Sequence, residues 1–192
     1  MSAVSISVVE NNPIITVSNT DVNVDITENL VKVVDAPYMK YGAFEYIGSQ
    51  QSAGTANALA MPFNTTDYSS DAYIANTSRI YFPTAGTYNI QWSGQFQNSD
   101  NAQNDIYVWL RINGTDVVGS TGYISVSARK SVNEPGHAIV GWNYFLTFTA
   151  GQYLELMWSS SSDLLSVESY VAGINPTRPS TAALILTATQ IA

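Results

Sequence analysis

The chain has 192 residues, 45% of them hydrophobic and only 11% charged, with a net charge of −8. Seven Lys plus Arg against fifteen Asp plus Glu make a surface that repels phosphate backbones, which argues against nucleic acid as a partner. The lack of cysteine excludes a disulfide scaffold, a thiolate metal site and thiol catalysis. The most apolar stretch, Ala138 to Trp158, is broken by Asn143, Gly151 and Glu155 and falls short of the ~20 apolar residues of a membrane span.

In chain order, the first elements are four short β-branched runs: Val4 to Val8, Ile14 to Ser18, Val22 to Ile26 and Leu30 to Val34. Their period-two alternation predicts strands, and the turn formers between them set a repeat of about eight to nine residues. No aromatic residue occurs before Ala36, whereas the 22 Phe, Trp and Tyr residues all follow it. This break divides the chain into a β-repeat segment, 1–36, and a main domain, 37–192. The short segment is expected either to form a meander on the main domain or to make one wall of a slender stem shared by three chains. Val4, Ile6, Ile14, Ile15, Val22 and Val24 are the residues expected to anchor it to a particle.

The main domain has no sustained helical period. Strands are expected at Ala43 to Ile47, Ala72 to Phe82, Thr87 to Gln97 and Asp105 to Ile112. Others are expected at Thr115 to Ser127, Ala138 to Thr149, Gln152 to Ser159 and Ala182 to Ile191. Regular spacing with Gly, Pro, Asn and Asp between strands predicts an all-β sandwich or jelly roll. Asn113-Gly114 is the strongest hairpin signal, since both residues tolerate the positive φ of a type I′ turn.

Thr87 to Gln97 separates cleanly into an apolar face (Tyr88, Ile90, Trp92, Phe96) and a polar one (Asn89, Gln91, Ser93, Gln95, Gln97). Ala138 to Thr149 does not: Ile139 and Phe145 oppose Val140, Trp142, Tyr144, Leu146 and Phe148. The last strand likewise opposes Ile185 and Ile191 to Leu184 and Leu186. Apolar residues on both faces need cover on both sides, and a second subunit is the expected source. Trp142, Tyr144, Phe148, Leu184 and Ile185 are therefore assigned to the core or to a subunit interface.

Few residues suggest chemistry. His137 follows Asn133-Glu134-Pro135-Gly136 and reads as a turn histidine with no triad motif beside it. The oxygen-rich run 98–105 lacks the spacing of a helix-loop-helix calcium site and reads as turn chemistry. No pair among the fifteen carboxylates is singled out. No catalytic residue, metal ligand or cofactor is assigned, and an enzyme is not expected. The four tryptophans fall within expected strands and read as core. Tyr68, Tyr73 and Tyr170 fall in expected loops and are the candidate ligand-facing rings.

Three segments carry a resemblance. Arg79-Ile80-Tyr81-Phe82-Pro83-Thr84-Ala85-Gly86-Thr87-Tyr88, Val108 to Gly114, and Leu146 to Leu156 resemble, in order and spacing, the strand signatures of tumour-necrosis-factor and complement-globular-head jelly rolls. The calcium-ligand loops and Gly-x-y stalk of that group have no counterpart here. With its Asn/Gln/Ser-rich composition and β-repeat segment, the chain looks more like the phage virion versions of this head. The resemblance implies a homotrimeric, non-enzymatic structural protein on the surface of a bacteriophage particle. It would be made in the host cytoplasm without a signal peptide and anchored through residues 1–36 to the major capsid protein or a tail component. A capsid decoration or cement protein is the first expectation. The alternative is a short tail or head fibre that binds a host cell-surface glycan.

Overall fold

The computed structural model describes residues 39–55 and 57–192. The expected β-repeat segment, its boundary at Ala36 and its six candidate anchor residues lie outside the described residues. Sixteen strands occur among the described residues. They are β1 (Tyr41–Tyr46), β2 (Ser49–Gln51), β3 (Leu59–Ala60), β4 (Thr65–Ser69), β5 (Tyr73–Ala75), β6 (Arg79–Phe82), β7 (Gly86–Asn98) and β8 (Asn104–Ile112). Then follow β9 (Thr115–Asp116), β10 (Gly122–Val126), β11 (Gly136–Phe148), β12 (Gln152–Ser160), β13 (Leu165–Glu168), β14 (Gly173–Ile174), β15 (Thr177–Arg178) and β16 (Leu184–Gln190).

Two antiparallel sheets make the sandwich. The front sheet runs β11-β7-β16-β1-β4, with β13 continuing along β7 beyond the end of β16 and β2 pairing β13. The back sheet runs β10-β8-β12-β6-β5, with β9 and β3 extending its rows. Counting only β1, β6, β7, β8, β10, β11, β12 and β16, the orders are 1-8-3-6 and 2-7-4-5. That is the double Greek key of a jelly roll.

The inner faces follow the alternation in the sequence. Tyr88, Ile90, Trp92 and Phe96 of β7 point between the sheets and are at most 5% exposed. Ile106, Val108 and Leu110 of β8 and Leu154, Leu156 and Trp158 of β12 meet them and are equally buried. Phe82 stacks on Phe148 with centroids 4.0 Å apart, and Tyr88 packs edge-on against both. Each such side chain contributes about 1.5–3 kcal/mol by leaving water.

Two expected strands are each divided. Ala72 to Phe82 turns back on itself because Asn76 (φ 51°) and Thr77 (φ 61°) take left-handed backbone, making the β5–β6 hairpin. Thr115 to Ser127 breaks between β9 and β10, where Gly119 has φ 79° and the Ser120 amide bonds the Val117 carbonyl. The Asn113-Gly114 turn has positive φ at both residues (47° and 80°), as expected, and joins β8 to β9.

Adjacent residues of β16 test the face assignment. Leu184 is 1% exposed and Ile185 is 41% exposed. Leu184→Ala is expected to cost about 2–5 kcal/mol through the cavity it leaves. Ile185→Ala is expected to cost the single chain less than about 1 kcal/mol. Urea unfolding of both variants below the association concentration checks this.

Candidate functional site

Each sheet turns its second face outward, and these two faces are the candidate sites. On the front sheet, the thirteen-residue pairing of β11 with β7 fixes what faces out. Because Tyr88, Ile90, Trp92 and Phe96 point inward, the residues opposite Asn89, Gln91, Ser93 and Gln95 point outward. Those are Phe145, Asn143, Gly141 and Ile139. Ile139 is 76% exposed and Phe145 67% exposed. Across β7, Ile185 lies opposite Ser93, and beyond it Tyr41 lies opposite Thr189 and Tyr68 opposite Ala43. The face thus carries apolar groups on its β11 edge, at Ile185 on the middle strand β16 and toward its β4 edge. Uncharged amides and hydroxyls of β7 separate the first two, and Glu45 of β1 faces out beside Ile185.

The expected interface residues separate. Phe148 and Leu184 are core. Ile185 is on the outer front face. Tyr144 is half-buried against the core, and its hydroxyl donates to the Ser120 carbonyl at 3.0 Å, tying β11 to the segment before β10. Trp142 is half-exposed at the seam between the two sheets. Its ring lies over Gly122 of β10, where a Cβ would meet Cζ3 at 2.8 Å.

The candidate ligand-facing tyrosines also separate, and none is a free loop ring. Tyr68 lies in β4 and is 73% exposed. Tyr73 opens β5 and stacks on Tyr81 of β6. Tyr170 is half-buried; its hydroxyl bonds Gln97 Oε1 at 3.3 Å and His137 Nδ1 at 3.0 Å. His137 accordingly lies in β11, opposite Gln97, rather than in a turn. The alternation of β11 extends to Gly136, further than the turn formers before it suggested.

The four tryptophans are not all core. Trp92 and Trp158 are inside, but Trp109 sits half-buried on the outer back face, where its Nε1 donates to Asp116 Oδ1 at 2.9 Å. Parity along β8 carries the signal: Ile106, Val108 and Leu110 go in, so Asp105, Tyr107, Trp109 and Arg111 go out. The same parity turns Tyr153, Glu155 and Met157 of β12, and Arg79 and Tyr81 of β6, away from the core, although Glu155 and Met157 are themselves covered by their neighbours (8% and 3% exposed).

The oxygen-rich run 98–105 spends its groups on hydrogen bonds within the protein. The buried Asn98 amide donates to the carbonyls of Ala102, Val126 and Ser127, and its Oδ1 accepts the Asp100 amide. Hydrogen bonds from Asn104 and from the local backbone hold the Asp100 carboxyl below the usual range. Among the described residues no three acidic, histidine or cysteine side chains gather as a metal cluster. On the outer back face, Ser125 and Tyr123 hold Asp105 low, and that bond pushes the Tyr123 phenol up to about 12. Arg111, then Trp109, hold Asp116 low.

No protein-family model matches the chain, and no curated protein matches it significantly.

Two outcomes are expected. Gly122→Val drives a side chain into the Trp142 ring, lowering stability by about 1–3 kcal/mol and moving tryptophan emission to longer wavelength. Asp116 has a native pKa below its unfolded one, so its contribution is complete above the unfolded value and is lost as pH falls through the native one. Asp116→Asn is therefore expected to flatten the decline in urea midpoint between about pH 5 and pH 2, relative to the unmodified chain.

Proposed function

We propose that this chain is a homotrimeric structural protein of a bacteriophage virion surface, acting as a capsid decoration or cement protein without catalytic chemistry. The observation that carries the oligomeric part is the outward exposure of Ile139, Phe145 and Ile185 on the front sheet. Large apolar groups exposed on one face mark an interaction surface. Two of them lie on the edge strand β11, Ile185 lies on the middle strand β16, and the exposed Tyr41 and Tyr68 lie toward the other edge. Unlike patches at opposite ends of one face favour a head-to-tail contact, which closes into a ring when the rotation permits. The amides and hydroxyls of β7 offer hydrogen bonds to a neighbouring copy, and Glu45, which faces out beside Ile185, needs a hydrogen-bonding partner or a place at the rim of that contact.

The number three, the virion and the anchoring role of residues 1–36 come from the resemblance of the Arg79–Tyr88, Val108–Gly114 and Leu146–Leu156 segments. The low charge and the Asn, Gln, Ser and Thr dress suit a protein packed within an assembly. On this reading the β-repeat segment docks on the major capsid protein or a tail component, and the heads clasp one another through their front sheets.

The test is add-back. Purified protein supplied to virions assembled without it is expected to raise their resistance to heat and osmotic shock. Phe145→Asp, which places an unpaired charge in the contact, is expected to protect less at equal concentration. Unchanged particle stability after saturating add-back of unmodified protein contradicts the reading.

A further inference from the structure

We infer that the outer face of the back sheet binds neutral polysaccharide. This face is separate from the front-sheet contact, and the inference holds for a monomer or a trimer alike.

The outward residues form rows across the strands. In the first, Tyr73 stacks on Tyr81 with centroids 5.4 Å apart and planes 9° apart, and Tyr153 follows at 5.2 Å. The next row alternates in sign. Arg79 Nε reaches Glu155 Oε1 at 3.2 Å, Glu155 lies opposite Arg111, and Arg111 Nε reaches Asp116 Oδ1 at 2.7 Å. Arg79 also lies over the Tyr153 ring, 4.3 Å from its centroid. Trp109 comes next. Beyond it Tyr107 and Tyr123 meet edge to face at 5.1 Å, and the Tyr123 hydroxyl donates to Asp105 Oδ2 at 2.5 Å.

Three properties select the ligand. First, the rings are held before any ligand arrives: Tyr73 by stacking, Tyr123 by its bond to Asp105, Trp109 by Asp116. Tyr73 and Tyr123 are nevertheless 50% and 63% exposed. Fixed, exposed rings cost little ordering entropy on binding. Second, both arginines are paired with carboxylates, so the face has no surplus positive charge for an acidic ligand, and the net charge of −8 repels polyanions. Third, instead of forming the water-free apolar centre of a protein interface, the rings are interleaved with the Arg79 and Arg111 guanidiniums, the exposed Asp116 carboxylate and tyrosine hydroxyls, while Glu155, 8% exposed, lies beneath them and holds Arg79. Such a mosaic matches a pyranose, whose C–H face packs on a ring while its hydroxyls bond the charged groups. The five strands span about 19 Å at ~4.8 Å per step, room for several sugars of an extended chain.

The experiment is affinity electrophoresis of the full chain through native gels containing dextran, mannan or galactan, with hyaluronate as the anionic comparison. Retardation is expected in at least one neutral gel. Tyr73→Ala and Tyr123→Ala are each expected to weaken it about fivefold or more, as truncation of an aromatic anchor in a binding surface does. Tyr68→Ala, on the front sheet, is expected to leave it unchanged. If Tyr123→Ala yields little folded protein, Tyr123→Phe keeps the ring, loses only the Asp105 bond, and is expected to weaken retardation less than Tyr73→Ala. Three results overturn the inference: no retardation in any neutral gel, retardation in hyaluronate alone, or undiminished retardation when both Tyr73 and Tyr123 carry the substitutions.

Discussion

The fold depends above all on the register between β7 and β11. Strand β7 alternates rings with amides and hydroxyls, and β11 pairs with it over thirteen residues. Once Tyr88, Ile90, Trp92 and Phe96 are committed to the interior, the side of every β11 residue is determined. A slip of one residue would turn Phe148 outward and Phe145 inward. The present register keeps Phe148 in the aromatic cluster with Phe82 and Tyr88. Its consequence is the exposure of Ile139 and Phe145, which no repacking of the same strand could hide while keeping Phe148 inside.

The two outer faces then differ in kind. The front one carries uncharged amides and hydroxyls along β7, with exposed apolar groups on the β11 edge, at Ile185 and toward the β4 edge, and the Glu45 carboxylate beside Ile185. The back one places rings and opposite charges in cross-strand rows that satisfy one another. Arg79, Glu155, Arg111 and Asp116 neutralise the row and also steady the rings beside them. Trp142 and Tyr144 close the seam between the sheets on the β10–β11 side.

Much of this was legible in the sequence where alternation is long and regular. Strands β7, β8, β11 and β12 follow from period-two patterns, and the two-sided character of β11 was visible in Ile139 and Phe145. Short elements were not legible. Strands β2, β3 and β4 carry mostly polar or small residues with no alternation, and they exist because longer neighbours offer them an edge. The β5–β6 hairpin was missed because Asn76 and Thr77 turn the chain with no glycine to mark the place. The aromatic back face follows from the parity of Trp109 and Tyr153 against their leucine neighbours, a signal masked by the general preference of strand tryptophans for the core. The fates of residues 1–36 and of their apolar Val and Ile positions lie outside the described residues.

The most direct test of the central claim, that the front sheet is covered by two further copies, is the solution mass of the full-length chain by light scattering. One chain is 20.8 kDa, so three give 3 × 20.8 = 62.4 kDa. The account predicts the trimer mass, reverting toward a single chain when Ile139 and Phe145 are both changed to aspartate. A mass of 20.8 kDa for the unmodified chain at every concentration tested would contradict it.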